Sequence, residues 1–138
     1  MTNYNLILIL NPSETDVLMC KRMKDPYEGK FNLVGGKIED GEDLLLSAYR
    51  ELFEETGISR IDVTLQPFID FIWHPADMTM HVFIGRLNHE VELEEEVHPL
   101  HWIPVASNFF DTNTYAGEGN IGHMMAIYQL HRRVMFDD

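Results

Sequence analysis

The sequence predicts an α/β (α+β) sandwich, with a mixed β-sheet flanked by helices. Three observations predict it. Short apolar runs rich in strand formers outnumber helical segments, only two segments read as helices, and turn residues punctuate the chain between them. With 138 residues the chain is expected to fold as one domain, 1–138, large enough to bury a single core.

In order, residues 5–10 (NLILIL) form a compact apolar run ended by Asn11-Pro12-Ser13, and residues 17–22 (VLMCKR) form a second. The two are expected to pair as a hairpin. Residues 31–34 make a third short strand, stopped by Gly35-Gly36. Residues 44–56 are the clearest helix, closed by Gly57 where a left-handed cap is usual. Residues 61–73 and 79–87 read as longer strands separated by a turn at Pro75-Ala76-Asp77. An acidic run at 90–96 precedes another short strand at 102–105, and the loop 115–120 leads into a terminal helix over 121–135.

Apolar residues make up 45% and charged residues 24%, the balance of a folded soluble chain. No apolar stretch approaches the roughly 20 residues that cross a bilayer, and the start lacks the cationic region of a secretory signal. Cys20 is the single cysteine, so an internal disulfide is excluded and a cytoplasmic location is expected. The formal charge of −13 argues against binding nucleic acid or an anionic membrane. An acidic chain that handles phosphates needs divalent metal to offset the repulsion.

The informative segment is 36–58, GKIEDGEDLLLSAYRELFEETGI. On a helix advancing about 100° per residue, Leu45, Leu46, Tyr49, Leu52 and Phe53 share one arc and are expected to face the core. Glu51, Glu54 and Glu55 share another, because spacings of three and four residues stack side chains on one face. Like charges so placed repel, with no ion-pair compensation between them. Their convergence is what a hard, oxygen-seeking cation requires. The plain alternative is a solvated acidic face. Gly35-Gly36 before the helix, and Glu42 and Arg50 placed to brace the entering loop, count against that alternative.

This segment resembles the signature of the Nudix (MutT-type) hydrolases, G-x5-E-x7-R-E-U-x-E-E-x-G-U, where U is a bulky aliphatic residue. Gly36, Glu42, Arg50, Glu51, Leu52, Glu54, Glu55, Gly57 and Ile58 fill every specified position. The resemblance implies a Nudix-type fold and hydrolysis of a phosphoanhydride. It assigns Glu51, Glu54 and Glu55 as catalytic carboxylates that hold magnesium (manganese can substitute), with the main-chain carbonyl of Gly35 as a further ligand. Glu42 and Arg50 are implied as a structural brace. Arg22 resembles the family's phosphate-contacting arginine, set against an ordinary surface cation. Lys37 is a weaker phosphate candidate beside the metal loop, and Glu96 resembles a downstream metal-binding carboxylate, with Glu94 and Glu95 close enough for the assignment to slip.

Asn32 stands where one branch of the family reads an oxidised purine, since an amide both donates and accepts. The branch's late acids and tryptophan match poorly here, Phe110-Asp111 being nearest. The implied substrate is therefore a nucleoside triphosphate such as 8-oxo-dGTP, cut to the monophosphate and pyrophosphate. The alternatives are a nucleotide sugar, ADP-ribose or a dinucleoside polyphosphate, or a module that senses nucleotides without turnover. The expected partner is thus a small-molecule nucleotide, and a homodimer is common among similar proteins.

Other features carry less. His98 and His101 lie three apart, but no cysteine pair or His-Glu-x-x-His pattern supports zinc, so surface histidines are expected. His123 either touches substrate or caps and packs. Cys20 reads as a small buried hydrophobe, and Met124 and Met125 as core filler. Phe68, Phe71, Trp73 and Phe83 fit a pocket, an interface or period-two core packing equally well.

Overall fold

The structure is a computed structural model, and it describes residues 1–136. Six strands and two helices follow one another as β1 (Thr2–Leu10), β2 (Asp16–Lys21), β3 (Phe31–Asn32), α1 (Leu44–Thr56), β4 (Gln66–Trp73), β5 (Met78–Arg86), β6 (Leu100–Pro104) and α2 (Asn120–Phe136). The sheet order is β3-β2-β1-β5-β4, with β6 on a further edge of β2. β1 pairs in parallel with β5 from Thr2↔Met78 to Leu10↔Arg86, whereas β2 and β4 run antiparallel to their neighbours. The expected mixed sheet flanked by helices is therefore present.

Strand alternation explains the sandwich. Side chains on a strand point to opposite faces in turn. Leu8 and Leu10 of β1 join Met19, Ile84, Met124 and Tyr128 beneath α2, while Ile7 and Ile9 join Leu18, Phe83, Ala48 and Leu52 beneath α1. The near-continuous apolar run of β1 marks a strand buried on both faces. Met124 and Met125 are core residues, as expected. Among the described residues no helix is long and apolar enough to cross a membrane.

α1 begins where Asp43 accepts a hydrogen bond from the Leu46 N–H at 2.9 Å, and ends at Gly57, whose φ of 79° and N–H to Phe53 O complete the left-handed cap. Its buried face differs from the expected arc. Leu46 and Phe53 are 50% and 56% exposed, and Ser47, Ala48, Leu52 and Thr56 take the inner positions. Two hydroxyls are tolerated there because each bonds its own helix: Ser47 Oγ donates to Leu44 O and Thr56 Oγ1 to Leu52 O, both at 2.7 Å.

Two strand expectations also change. Residues 61–65 are not part of β4, because Asp62 caps a turn by accepting from the Ser59 N–H at 2.8 Å. The Leu65 N–H then donates to the Tyr49 hydroxyl at 2.8 Å instead of a ladder partner. β3 shrinks to Phe31–Asn32, leaving Val34 as an isolated bridge to Ile7.

α2 is fastened to the sheet through Glu14 in the β1–β2 turn. Its carboxylate accepts from Arg86 Nη1 at 2.9 Å, from Arg132 Nε at 3.1 Å and from the Tyr128 hydroxyl. Burial pushes the Glu14 carboxyl up, but hydrogen bonds from Arg132, Tyr128 and Arg86 outweigh it and hold the group at about 2. The folded value lies below the ordinary 4.5, so this stabilisation is full above pH 4.5 and is lost as the pH falls through about 2. Glu14→Gln is expected to cost about 2–3 kcal/mol at neutral pH. In urea unfolding, the gap between variant and wild type should narrow steadily below pH 4.5; a gap independent of pH would contradict the assignment.

Candidate active site

Two glycines let the chain cross the start of β1 at backbone contact. Gly35 has φ +151°, and a Cβ there would lie 2.1 Å from the Asn5 carbonyl oxygen. A Cβ on Gly36 would lie 2.7 Å from the Glu51 carboxyl. Asn5, only 1% exposed, pins this crossing to α1. Its Oδ1 accepts from the Gly36 N–H at 3.0 Å, its Nδ2 donates to Ser47 Oγ at 3.1 Å, and its own N–H donates to Gly36 O at 2.9 Å. Sequence reasoning missed Asn5, although a polar residue opening the apolar run NLILIL was a visible oddity.

α1 presents its glutamates to this crossing. Glu55 Oε2 accepts from the Gly35 N–H at 2.8 Å. Burial pushes the Glu55 carboxyl up to about 7, with the Gly35 N–H and the nearby Arg22 charge pulling the other way. Burial raises Glu51 as well, with Arg50 opposing. Glu54 is the exposed member, with just over half its side chain in solvent.

Arg50 grips Glu42 with two bonds, Nε to Oε2 at 2.6 Å and Nη2 to Oε1 at 2.9 Å. Glu42 Oε1 also accepts from the Glu39 N–H at 3.1 Å, which ties the entering loop to the helix. The same guanidinium reaches Glu51 Oε1 at 3.1 Å and Glu54 Oε2 at 3.3 Å. Glu51 and Glu54 therefore do have an ion-pair partner, contrary to the reading from spacing alone, because the arginine side chain is long enough to reach both.

Among the described residues, no three His, Cys, Asp or Glu side chains converge closely enough to hold a metal as they stand. Glu51 and Glu54 lean on Arg50, and Glu55 on the Gly35 amide. The donor chemistry nevertheless fits a hard divalent cation. It consists of carboxylates, two of them desolvated and raised, about one turn of helix apart beside the half-buried backbone of Gly35-Gly36. Glu51, Glu54 and Glu55 are the residues that would hold it, the first two in exchange for Arg50 and the third in exchange for the Gly35 amide.

Arg22, Asn32, Gly35, Gly36 and Glu55 line one cleft, together with Cys20 and Tyr27. Asn32 and Tyr27 also line a second, more apolar compartment with Leu6, Met78, Met80, Phe71, Trp73 and Met124, edged by Glu118 and Asn120. Period-two spacing in β4 and β5 sends Phe71 and Trp73, and Met78 and Met80, to this face. Phe83 belongs to the core under α1, and Phe68 packs against the core under α2. The Asn32 Oδ1 accepts from the Leu33 N–H at 2.8 Å, so its amide N–H groups are the ones presented to the cleft.

Other candidates stand apart. Lys37 lines a separate polar groove with Asn3, Glu39 and Glu42. Glu96 is exposed, Glu95 accepts from the Leu100 N–H at 2.7 Å, and Glu94 packs against Gly57. His98 is buried rather than at the surface, its Nδ1 accepting from the Met23 N–H at 3.3 Å, and burial depresses its pKa. His101 stacks edge-on against Phe31 at 5.2 Å, and His123 is exposed. Phe110 covers Gly122, and Asp111 caps the turn at Asn113 and Thr114. Buried Cys20 is held well above the usual thiol value, at about 11, first by burial and then by Glu55.

Comparison with known proteins bears on the family and the fold. The mouse (Mus musculus) protein named oxidized purine nucleoside triphosphate hydrolase is 34% identical over 97 residues, 67% of this chain and 60% of the relative. The chain thus spans about 60% of that relative's length. The solved C. elegans Ap4A hydrolase binary complex matches with TM-score 0.76 at 16% identity, covering 94% of this chain and 97% of that one. The NUDIX domain of Shewanella oneidensis NrtR complexed with ADP ribose matches with TM-score 0.71 at 16% identity, covering 93% and 87%. At such identities the two structures speak for the fold alone. The family model for the NUDIX domain matches residues 2–121, which takes in every element from β1 to the start of α2, and the chain belongs to the Nudix family.

Proposed function

We propose that the chain is a magnesium-dependent hydrolase that cuts an oxidised purine nucleoside triphosphate, 8-oxo-dGTP or a close relative, to the monophosphate and pyrophosphate. The observation that carries this reading is a pair of adjoining pockets that share Leu6, Tyr27, Asn32, Met78 and Met80 in their linings. Desolvated Glu55 and Arg22 stand at one end, and an apolar compartment edged by Asn32 lies at the other. That layout suits a ligand with an anionic end and a flat apolar end. The name of the mouse relative supports the same substrate class.

When bound, the cation lowers the pKa of water and neutralises phosphate charge. The remaining work falls to the chain. Glu51 and Glu55 supply fixed negative charge, and a glutamate oxygen accepts the proton that the attacking water gives up. Arg22 contacts phosphate oxygens. Phe71, Trp73 and Met80 exclude water around the base, and the Asn32 amide donates to the purine carbonyl.

The test is a magnesium-supported screen of nucleotides with product identification. The expected result is pyrophosphate release from 8-oxo-dGTP in preference to dGTP, with Asn32→Ala reducing that preference about tenfold. Preferred turnover of a dinucleoside polyphosphate, a nucleotide sugar or ADP-ribose would replace the substrate assignment. Tight nucleotide binding without product would replace the enzyme with a sensing module.

A further inference from the structure

The loop joining β2 to β3 and the loop leading into α2 meet at one side-chain contact. The Tyr27 hydroxyl donates to the Glu118 carboxylate, with both oxygens at 2.9 Å across 91 residues of sequence. Both residues edge the apolar compartment, and Tyr27 also borders the Arg22 end of the cleft. The contact itself is exposed to solvent, so it lies on the rim of the compartment.

The two loops are joined to each other at their roots, while at the tips the backbone hydrogen bonds stay within each loop, as from Lys30 N–H to Tyr27 O and from Asn120 N–H to Gly117 O. The Phe31 N–H donates to Thr114 O and the Ala116 N–H to Phe31 O, both at 2.9 Å, which holds the roots together. At the tips, Tyr27 and Glu118 adopt φ of +68° and +53°, a region that costs a residue bearing a Cβ. Glycines with φ of +85° and +93° flank Glu118 on either side. A Cβ on Gly29 would meet nothing within 4 Å, and one on Gly117 would meet only Asn120 at 3.5 Å. Both tips thus hold a strained residue, and the one at Glu118 lies between two glycines that can absorb a change of backbone angle.

We propose that Tyr27 and Glu118 are positioning residues, a strap that closes across the cleft to retain the nucleoside end of the nucleotide and parts to let it enter and leave. The inference rests on the nucleotide reading for its ligand, though not for the strap's own motion. One hydrogen bond at the surface is strong enough to bias the loops shut and weak enough to open in every cycle. Because the hydroxyl and the carboxylate act as a unit, removing either opens the strap, and removing both adds nothing.

Two measurements test this. The first uses the nucleotide that the wild type hydrolyses best in the magnesium-supported screen. Tyr27→Phe and Glu118→Ala should each raise KM and speed release of the monophosphate by about five- to tenfold. The double variant should match the stronger single one, and Glu118→Gln, which keeps an acceptor for the hydroxyl, should recover most of the loss. Single variants within twofold of wild type, or effects that multiply in the double, overturn the proposal. The second uses the protein without nucleotide. Hydrogen exchange in Tyr27→Phe should quicken in residues 22–30 and 115–120 together, and quickening confined to 22–30 overturns it. Should no nucleotide be turned over at all, the hydrolase reading fails while the exchange measurement still decides the strap.

Discussion

Glu55→Gln is expected to fold normally and to lose turnover by a hundred- to thousandfold, on the order of what removing one transition-state charge contact costs. The two parts of this expectation have separate causes. Glutamine is nearly isosteric and keeps an oxygen to accept from the Gly35 N–H, so the 2.8 Å bond that shapes the crossing survives. The buried carboxylate it replaces is disfavoured where it stands, since burial already lifts it to about 7. Removing that charge should leave the melting temperature unchanged or slightly raised, the pattern of a site whose strain serves function. Glu51→Gln should behave alike. Glu54→Gln should lose activity and weaken the contact from Arg50 Nη1 that now reaches it at 3.3 Å, leaving that nitrogen on Glu51 at 3.1 Å and the Glu42 brace unharmed. Pyrophosphate release in magnesium, beside thermal unfolding, checks the set; normal turnover by Glu55→Gln would remove the proposed site.

Gly35→Ala should be the most damaging single methyl in the molecule. The added carbon would sit 2.1 Å from the Asn5 carbonyl oxygen, and that oxygen belongs to β1, buried and paired along its length with β5. A flexible side chain could move aside, but a central strand cannot. With the positive φ added, the expected loss exceeds about 3 kcal/mol in urea unfolding. Gly41→Ala provides the contrast, because its φ of +78° is equally unusual while its Cβ would meet nothing within 4 Å. It should cost only about 1 kcal/mol. Gly36→Ala falls between, since its Cβ would strike the movable carboxyl of Glu51 at 2.7 Å. It should fold and lose activity. Equal costs at positions 35 and 41 would contradict the close crossing.

The parts of the fold legible in the sequence were those set by local rules. The helix at Leu44–Thr56 has its cap residues at both ends, and β1, β2 and β5 are apolar runs bounded by turns. What escaped was decided by distant partners. Residues 61–65 look strand-like, yet the Tyr49 hydroxyl claims the Leu65 N–H. Leu46 and Phe53 look like core, yet Ser47 and Thr56 can face inward because their hydroxyls bond the helix itself. In the site, the spacing of Glu51, Glu54 and Glu55 and the Glu42–Arg50 brace followed from helical geometry and family resemblance. The guanidinium's reach to Glu51 and Glu54 did not, because a rotamer decides it. Asn5, Tyr27, Glu118 and Trp73 were invisible as a group, since only the folded sheet and loops bring them to the cleft. The separation of Lys37 from Arg22 was equally hidden, for Gly36 lines the cleft of Arg22 whereas Lys37, one residue on, lines a different groove.

On the proposed function, the glutamates of α1 trade their present partners for a divalent cation. Titration with manganese, followed by the loss of its free-ion paramagnetic resonance signal, tests it without any choice of nucleotide. The wild type should bind the ion, and the paired substitution Glu51→Gln with Glu55→Gln should abolish that binding in a protein that still melts cooperatively. Equal binding by the two proteins, or none by the wild type at millimolar ion, would contradict it.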